Sequence, residues 1–130
     1  MSGELILIVE DNPRNLKLVR DLLRLHGFKT IEAATGAQAI ALAQDQEPRL
    51  VLLDIQLPDL DGASVLAALR SHDRTAGLAV VALTAFAMHG DRERFLAAGF
   101  DGYLAKPISV KTFAGEIGAL CAQLGSKGLT

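Results

Sequence analysis

The stretch Leu50-Val51-Leu52-Leu53-Asp54-Ile55-Gln56-Leu57-Pro58-Asp59-Leu60-Asp61-Gly62 decides how this chain is read. A short apolar run without helical period, followed by turn formers, indicates a strand buried on both faces of a parallel sheet. Its first charged residue, Asp54, stands where such a strand meets solvent. In an open α/β sheet the reactive groups gather beyond the carboxyl ends of the strands, which makes Asp54 a candidate site residue. A carboxylate here also suits the cap of the following turn, and this strand alone leaves both readings open.

Upstream, Leu5-Ile6-Leu7-Ile8-Val9 is a second uninterrupted apolar run, and it ends at Glu10-Asp11. Asn12 is a favoured N-cap and Pro13 a favoured first helical residue, so a helix should start there and close at Gly27. Its inward positions are Leu16, Val19, Leu22 and Leu23. Lys29-Thr30-Ile31-Glu32-Ala33 alternates polar with apolar residues and reads as an edge strand. Thr35 and Gln38 have capping-box spacing for a second helix, expected to run to about Gln46 and to bury Ile40 and Ala43. Pro48 then stops the chain before the central strand.

Downstream of Asp61-Gly62, Val65, Leu66 and Leu69 mark a third helix. Leu78-Ala79-Val80-Val81-Ala82-Leu83 is a fourth strand, ending in the hydroxyl residue Thr84. Asp91 to Ala98 reads as a fourth helix terminated by Gly99. Gly102-Tyr103-Leu104-Ala105 is a fifth strand ending at Lys106-Pro107, and Ser109 caps a last helix with the stripe Val110, Phe113, Ile117, Leu120 and Leu124. Strict alternation of strand and helix predicts a single α/β domain over residues 1–124, a doubly wound parallel sheet with helices on both faces. Residues 125–130 have no period and should form a short flexible tail.

Composition narrows the function. Of the 130 residues, 50% are hydrophobic, enough for one packed core without disulfides or metal staples. No apolar run reaches membrane-spanning length, and Met1-Ser2-Gly3-Glu4 lacks the basic start of a signal peptide. The single cysteine, Cys121, cannot form an internal disulfide, which fits a cytoplasmic location. A net charge of -2 with no Lys/Arg cluster argues against direct nucleic-acid binding. His26, His72 and His89 are scattered without metal-ligand spacing and read as surface or partner-facing residues.

A parallel sheet would carry Glu10, Asp11, Asp54, Thr84 and Lys106 to one edge from four distant parts of the sequence. Each alone has a plain explanation: a turn residue, a β-branched strand end, a solvated charge. Together they form a constellation. Converging carboxylates repel one another unless a cation neutralises them, and oxygen ligands point to Mg2+. Glu10, Asp11, Asp54 and the backbone carbonyl of Gln56 would hold it. Aspartate is an acceptor of phosphoryl groups, and the central Asp54 is the best nucleophile of the set. Lys106 and Thr84 would meet the remaining phosphoryl oxygens.

The pattern Ile8-Val9-Glu10-Asp11-Asn12, Leu52-Leu53-Asp54-Ile55 with Pro58 and Asp61-Gly62, Leu83-Thr84-Ala85 and Lys106-Pro107 resembles the receiver domain of two-component response regulators. The resemblance runs from Leu5 to about Leu124. It implies a flavodoxin-like (βα)5 sheet of order 2-1-3-4-5, with Asp54 as phosphoacceptor, Asp11 as direct Mg2+ ligand and Glu10 as second acid. It also implies Thr84 as switch hydroxyl, Lys106 as phosphoryl-binding cation and a cis bond between Lys106 and Pro107. Tyr103 matches the family's switch aromatic, and a half-buried strand tyrosine is an equally good and compatible reading. The family's output face is made by helix 4, strand 5 and helix 5, which would bind a downstream protein partner.

Asn12-Pro13-Arg14-Asn15-Leu16, Ala85-Phe86-Ala87-Met88 and Ala97-Ala98-Gly99-Phe100-Asp101-Gly102-Tyr103 are most similar to single-domain receivers of the DivK type, and similar phrases occur in receiver modules of hybrid histidine kinases. A start at Met1 and no visible linker favour the single-domain form. The expected donor is a histidine kinase or histidine phosphotransfer protein. Gln56 and Phe86, two positions beyond Asp54 and Thr84, are placed to tune access of water to a phosphoryl group. A phosphate-independent pseudo-receiver scaffold is the alternative that the complete site opposes. A haloacid-dehalogenase-like phosphatase is the enzymatic alternative, opposed by Gln56 where that family's pattern has a second aspartate and by the lack of a cap domain. The chain is therefore read as catalysing only its own phosphorylation and dephosphorylation.

Overall fold

The computed structural model describes residues 4–84, 91–106, 112–113, 115–117 and 119. Its elements run β1 (Leu5–Val9), α1 (Pro13–Leu25), β2 (Lys29–Ala33), α2 (Gly36–Gln46), β3 (Leu50–Asp54), α3 (Gly62–Arg70), β4 (Ala79–Thr84), α4 (Asp91–Ala98) and β5 (Gly102–Ala105). All strand pairs are parallel, and the sheet order is β2-β1-β3-β4-β5, the flavodoxin-like order. The alternating strand β2 lies at an edge, as its pattern requires.

The all-apolar strands divide their side chains between two core layers because successive residues point to opposite faces. Ile6, Ile8, Leu50, Leu52, Val81, Leu83 and Leu104 pack with Val19, Leu22 and Leu23 of α1 and with Phe113 and Ile117. Leu7, Val9, Val51, Leu53, Val80 and Ala82 pack with α2 and α3 on the other face. Phe113 and Ile117 belong to the expected stripe of the last helix and are helical and buried; Val110, Leu120 and Leu124 fall outside the described residues, as does the expected tail at 125–130.

Helix ends follow local chemistry. Asn12 caps α1 by accepting from the N–H groups of Arg14 and Asn15. Gly27, at φ 90°, ends it, with its own N–H bonded to the Arg24 carbonyl and that of Phe28 to Leu23. Gly99, at φ 107°, ends α4 in the same manner, and Phe95 and Phe100 meet edge-on across the turn with centroids 5.8 Å apart. The expected capping box of α2 is opened by one residue: Thr35 accepts from Gln38 N–H, but the Gln38 side chain accepts from Ala34 N–H.

Three expectations are adjusted. The buried side of α2 is Gly36, Ala39 and Ala43, while Ile40 and, in α1, Leu16 are only half-buried. Small residues face inward on α2 because the segment after β3 packs directly on it: a Cβ at Gly36 would stand 2.8 Å from Val65 Cγ2. The fourth strand begins at Ala79 and takes in Thr84, one residue later than the apolar run itself.

Candidate functional site

Register brings the polar strand ends together. Val9 pairs with Leu53, Asp54 with Leu83 and Thr84 with Ala105, so Glu10, Asp54, Thr84 and Lys106 sit at one end of the sheet. Alternation then sorts them by face. Glu10 continues the row of Ile6 and Ile8, Asp54 that of Leu50 and Leu52, and Lys106 that of Leu104, all on the α1 side.

The result is a compact charged centre. Lys106 Nζ lies 2.8 Å from Glu10 Oε1 and 2.9 Å from Asp54 Oδ2. Asp54 Oδ1 accepts from the N–H of Gln56 at 2.9 Å, and Glu10 Oε2 from the N–H of Asn12 at 3.3 Å. Asp54 thus caps its turn and faces the lysine at once. Glu10, Asp54 and Thr84 are buried, whereas Asp11 and Gln56 are exposed. The chain is drawn tight around them: the N–H of Glu10 donates to Ala33, that of Ile55 to Leu83 and that of Lys106 to the Thr84 carbonyl.

Two carboxylates and one ammonium leave the buried centre one negative charge in excess. Burial raises the Glu10 pKa above its ordinary value, its bond with Asp54 adds to the rise, and Lys106 and the Asn12 amide pull against it. Burial lowers the Lys106 pKa, but the hydrogen bonds and charges of Glu10 and Asp54 outweigh it and hold the ammonium above its ordinary value. The missing positive charge is what a cation would supply. Glu10, Asp11 and Asp54 each offer a carboxylate oxygen, all within 4.8 Å of one another, a hard-oxygen donor set that fits Mg2+.

Of the other residues singled out in the sequence, Tyr103 is half-buried on β5 with its ring 5.5 Å from that of Phe95. Phe86 and Pro107, and with Pro107 the expected cis bond, lie outside the described residues, as does His89. His26 and His72 are exposed and away from the centre. Two side chains had no distinguishing mark in the sequence. Asp59 reaches back to the first turn of α2. Arg70, at the opposite end of the sheet, binds the carbonyls of Ala76, Leu78 and Gly99 and the Asp101 carboxylate. Both act across more than twenty residues or between loops, where no periodic pattern reports them.

A five-stranded parallel sheet of this order with an acidic pair, a central aspartate and a lysine at its carboxyl edge is the architecture of a phosphorelay receiver. The response regulator receiver domain model matches residues 6–117, and the chain belongs to that family. It is 45% identical over 108 residues to the polar-differentiation response regulator DivK of Brucella anthropi, covering 83% of this chain and 88% of that protein. Among solved structures, the receiver domain of a Pseudomonas aeruginosa sensor histidine kinase, with a magnesium ion coordinated in its active-site cleft, is 38% identical and superimposes with a TM-score of 0.81, covering 95% of this chain and 99% of that one. The Vibrio cholerae chemotaxis response regulator CheY4, 23% identical, shares the fold at a TM-score of 0.84, with 92% and 99% covered. Among the described residues, no helix is long and apolar enough to cross a membrane.

Proposed function

We propose that the protein accepts a phosphoryl group on Asp54 from a phosphohistidine of a histidine kinase or phosphotransfer protein and passes the signal on by protein contact. The observation that carries this reading is the meeting of the Asp54 carboxylate with Lys106 Nζ at 2.9 Å inside a ring of oxygen donors. An Asp54 oxygen attacks phosphorus, the P–N bond breaks, and its electron pair returns to the donor imidazole. Asp54 is held for this by the Gln56 amide and is buried, where fixed charges act strongly. Lys106, already placed between Glu10 and Asp54, meets the charge of the incoming phosphoryl oxygens. The Thr84 hydroxyl serves a further oxygen and acts with Tyr103 as the switch.

Asp11, Asp54, Glu10 and the Gln56 backbone carbonyl would hold Mg2+. When bound, the ion neutralises the carboxylates and the transferring group's oxygens. Phosphorylation is then a local charge event that biases a face including α4 and β5, where Phe95 packs on Tyr103, for a downstream protein partner. The DivK likeness supports a single-domain regulator; the 38% identity to a kinase-borne receiver keeps a hybrid-kinase module as the second setting for the same chemistry. A cytoplasmic location accompanies both.

Intact mass spectrometry after incubation with acetyl phosphate tests the reading. One acid-labile phosphoryl group, gained only with Mg2+ and absent in Asp54→Asn, is the expected result; no gain from either acetyl phosphate or a phosphorylated phosphotransfer protein would leave a phosphate-independent scaffold. Gln56 and Phe86 tune the lifetime of the group, and substitutions at either that leave its decay rate unchanged would remove that role.

A further inference from the structure

The loop that follows Asp54 is held at two ends. At one end it grips the site: Gln56 N–H donates to Asp54 Oδ1, and the loop closes on itself through a bridge between Gln56 and Asp61 and a bond from Gly62 N–H to the Ile55 carbonyl at 3.1 Å. At the other it grips a helix. Asp59 Oδ1 accepts from Gly36 N–H at 2.8 Å, and Oδ2 from Ala37 N–H at 3.1 Å. These are the first two amides of α2, a helix that already has its own cap in Thr35. The carboxylate therefore satisfies donors that are orphaned in any helix start, and it faces the positive end of the helix dipole. Those amide bonds hold the Asp59 carboxyl below its ordinary pKa.

Close packing backs the clasp. Gly36 is buried, and a Cβ there would come within 3.0 Å of Leu60 Cβ, so the Leu60 side chain of the loop is seated directly on the helix start. The loop's other carboxylate, Asp61, ties it to α3 by accepting from Ser64 N–H, so Asp59 is its charged anchor on α2.

We propose that Asp59 is a positioning residue for the phosphorylation site, fixing the loop on α2 so that the Gln56 carbonyl and the Asp54 carboxylate are held in the geometry that takes the cation. This rests on the function proposed above. The roles separate because the Thr35 hydroxyl caps the same helix through Gln38 N–H, whereas the Asp59 carboxylate spans from the loop to Gly36 and Ala37.

The test compares wild type, Asp59→Ala, Asp59→Asn and Thr35→Ala in Mg2+ titrations followed by the amide shifts of Asp54 and Gln56, with hydrogen exchange at Gly36, Ala37 and Gln56. Asp59→Ala should weaken Mg2+ about tenfold, the lower end of the cost of losing an outer-shell partner, and speed exchange at all three amides. Asp59→Asn, which retains one acceptor oxygen, should fall between Asp59→Ala and wild type. Thr35→Ala should lose helix stability yet bind Mg2+ within about twofold of wild type, since no outer-shell contact is removed. Unchanged Mg2+ affinity in Asp59→Ala, or an equal loss in Thr35→Ala, would overturn the assignment while the wild type still takes Mg2+ and phosphoryl. A wild type that takes neither would overturn the proposed function and this role with it.

Discussion

Replacing Gly36 by alanine should destabilise the protein, against the usual direction for a glycine near a helix start. Two effects compete. Alanine restricts the unfolded chain and favours helix, a gain of about 0.5–1 kcal/mol where the site has room. Gly36 has none: the added Cβ would stand 2.8 Å from Val65 Cγ2 and 3.0 Å from Leu60 Cβ and Cδ1. Val65 is fully buried on α3, so relief requires moving a packed helix or the loop that follows Asp54. Overpacking of this kind costs about 1–3 kcal/mol, leaving a net loss of about 0–2.5 kcal/mol, or about 1 at the middle of both ranges. Gly115 provides the opposite case, a helical glycine with no heavy atom within 4 Å of its would-be Cβ, and Gly115→Ala should gain about 0.5–1 kcal/mol. Urea unfolding followed by far-ultraviolet circular dichroism reads both. With a slope of about 1–3 kcal/mol per molar urea, the two midpoints should move in opposite directions by several tenths molar or more. A Gly36→Ala midpoint that rises alongside that of Gly115→Ala would refute the packing argument.

Arg70→Ala removes the donor shared by the Ala76, Leu78 and Gly99 carbonyls and the partner of Asp101, and should cost about 2–3 kcal/mol in the same assay. Glu47 ends α2 in the left-handed region at φ 46°, and its exposed ion pair with Arg74, at 3.4 Å, is worth little. Glu47→Gly should therefore raise the midpoint by about 0.5 kcal/mol equivalent, the backbone relief less the added unfolded-state entropy. Asp61, which caps α3 through Ser64 N–H, and Asp59 have pKa values depressed by those backbone bonds below 3.8. Their stabilisation is present above the unfolded value and lost as pH falls through the folded one. A stability profile between neutrality and strong acid should therefore drop less steeply below pH 3.8 in the Asp59→Asn/Asp61→Asn variant than in wild type; identical profiles would show that the caps are not linked to folding.

Much of this molecule was legible one residue at a time. Two interactions stand out against that: Asp59 with the Gly36 and Ala37 amides, and Arg70 with Gly99 and Asp101. Each joins elements that the sheet topology makes neighbours, so neither leaves a trace in local propensity or period. Ile40 shows the same effect in packing. Its hydrophobicity argued for the inward side of α2, but α3 and the loop before it approach so closely that Gly36, Ala39 and Ala43 occupy that side.

The sequence by itself determined the alternation of strands and helices, the edge position of β2, the helix caps at Asn12 and Thr35, and the identities of Glu10, Asp11, Asp54, Thr84 and Lys106 as strand-end groups. Those are consequences of side-chain period and of backbone chemistry acting within a few residues. Only the tertiary structure decided that Glu10 is buried while its neighbour Asp11 is exposed, that Lys106 stands between Glu10 and Asp54, and that the loop after Asp54 is tied to α2. The reason is register. Which strand end lies beside which, and which face each side chain takes, depends on contacts between segments as far apart as Glu10 and Lys106, 96 residues along the chain, and charge at that distance in sequence becomes chemistry only when the sheet brings it within 3 Å.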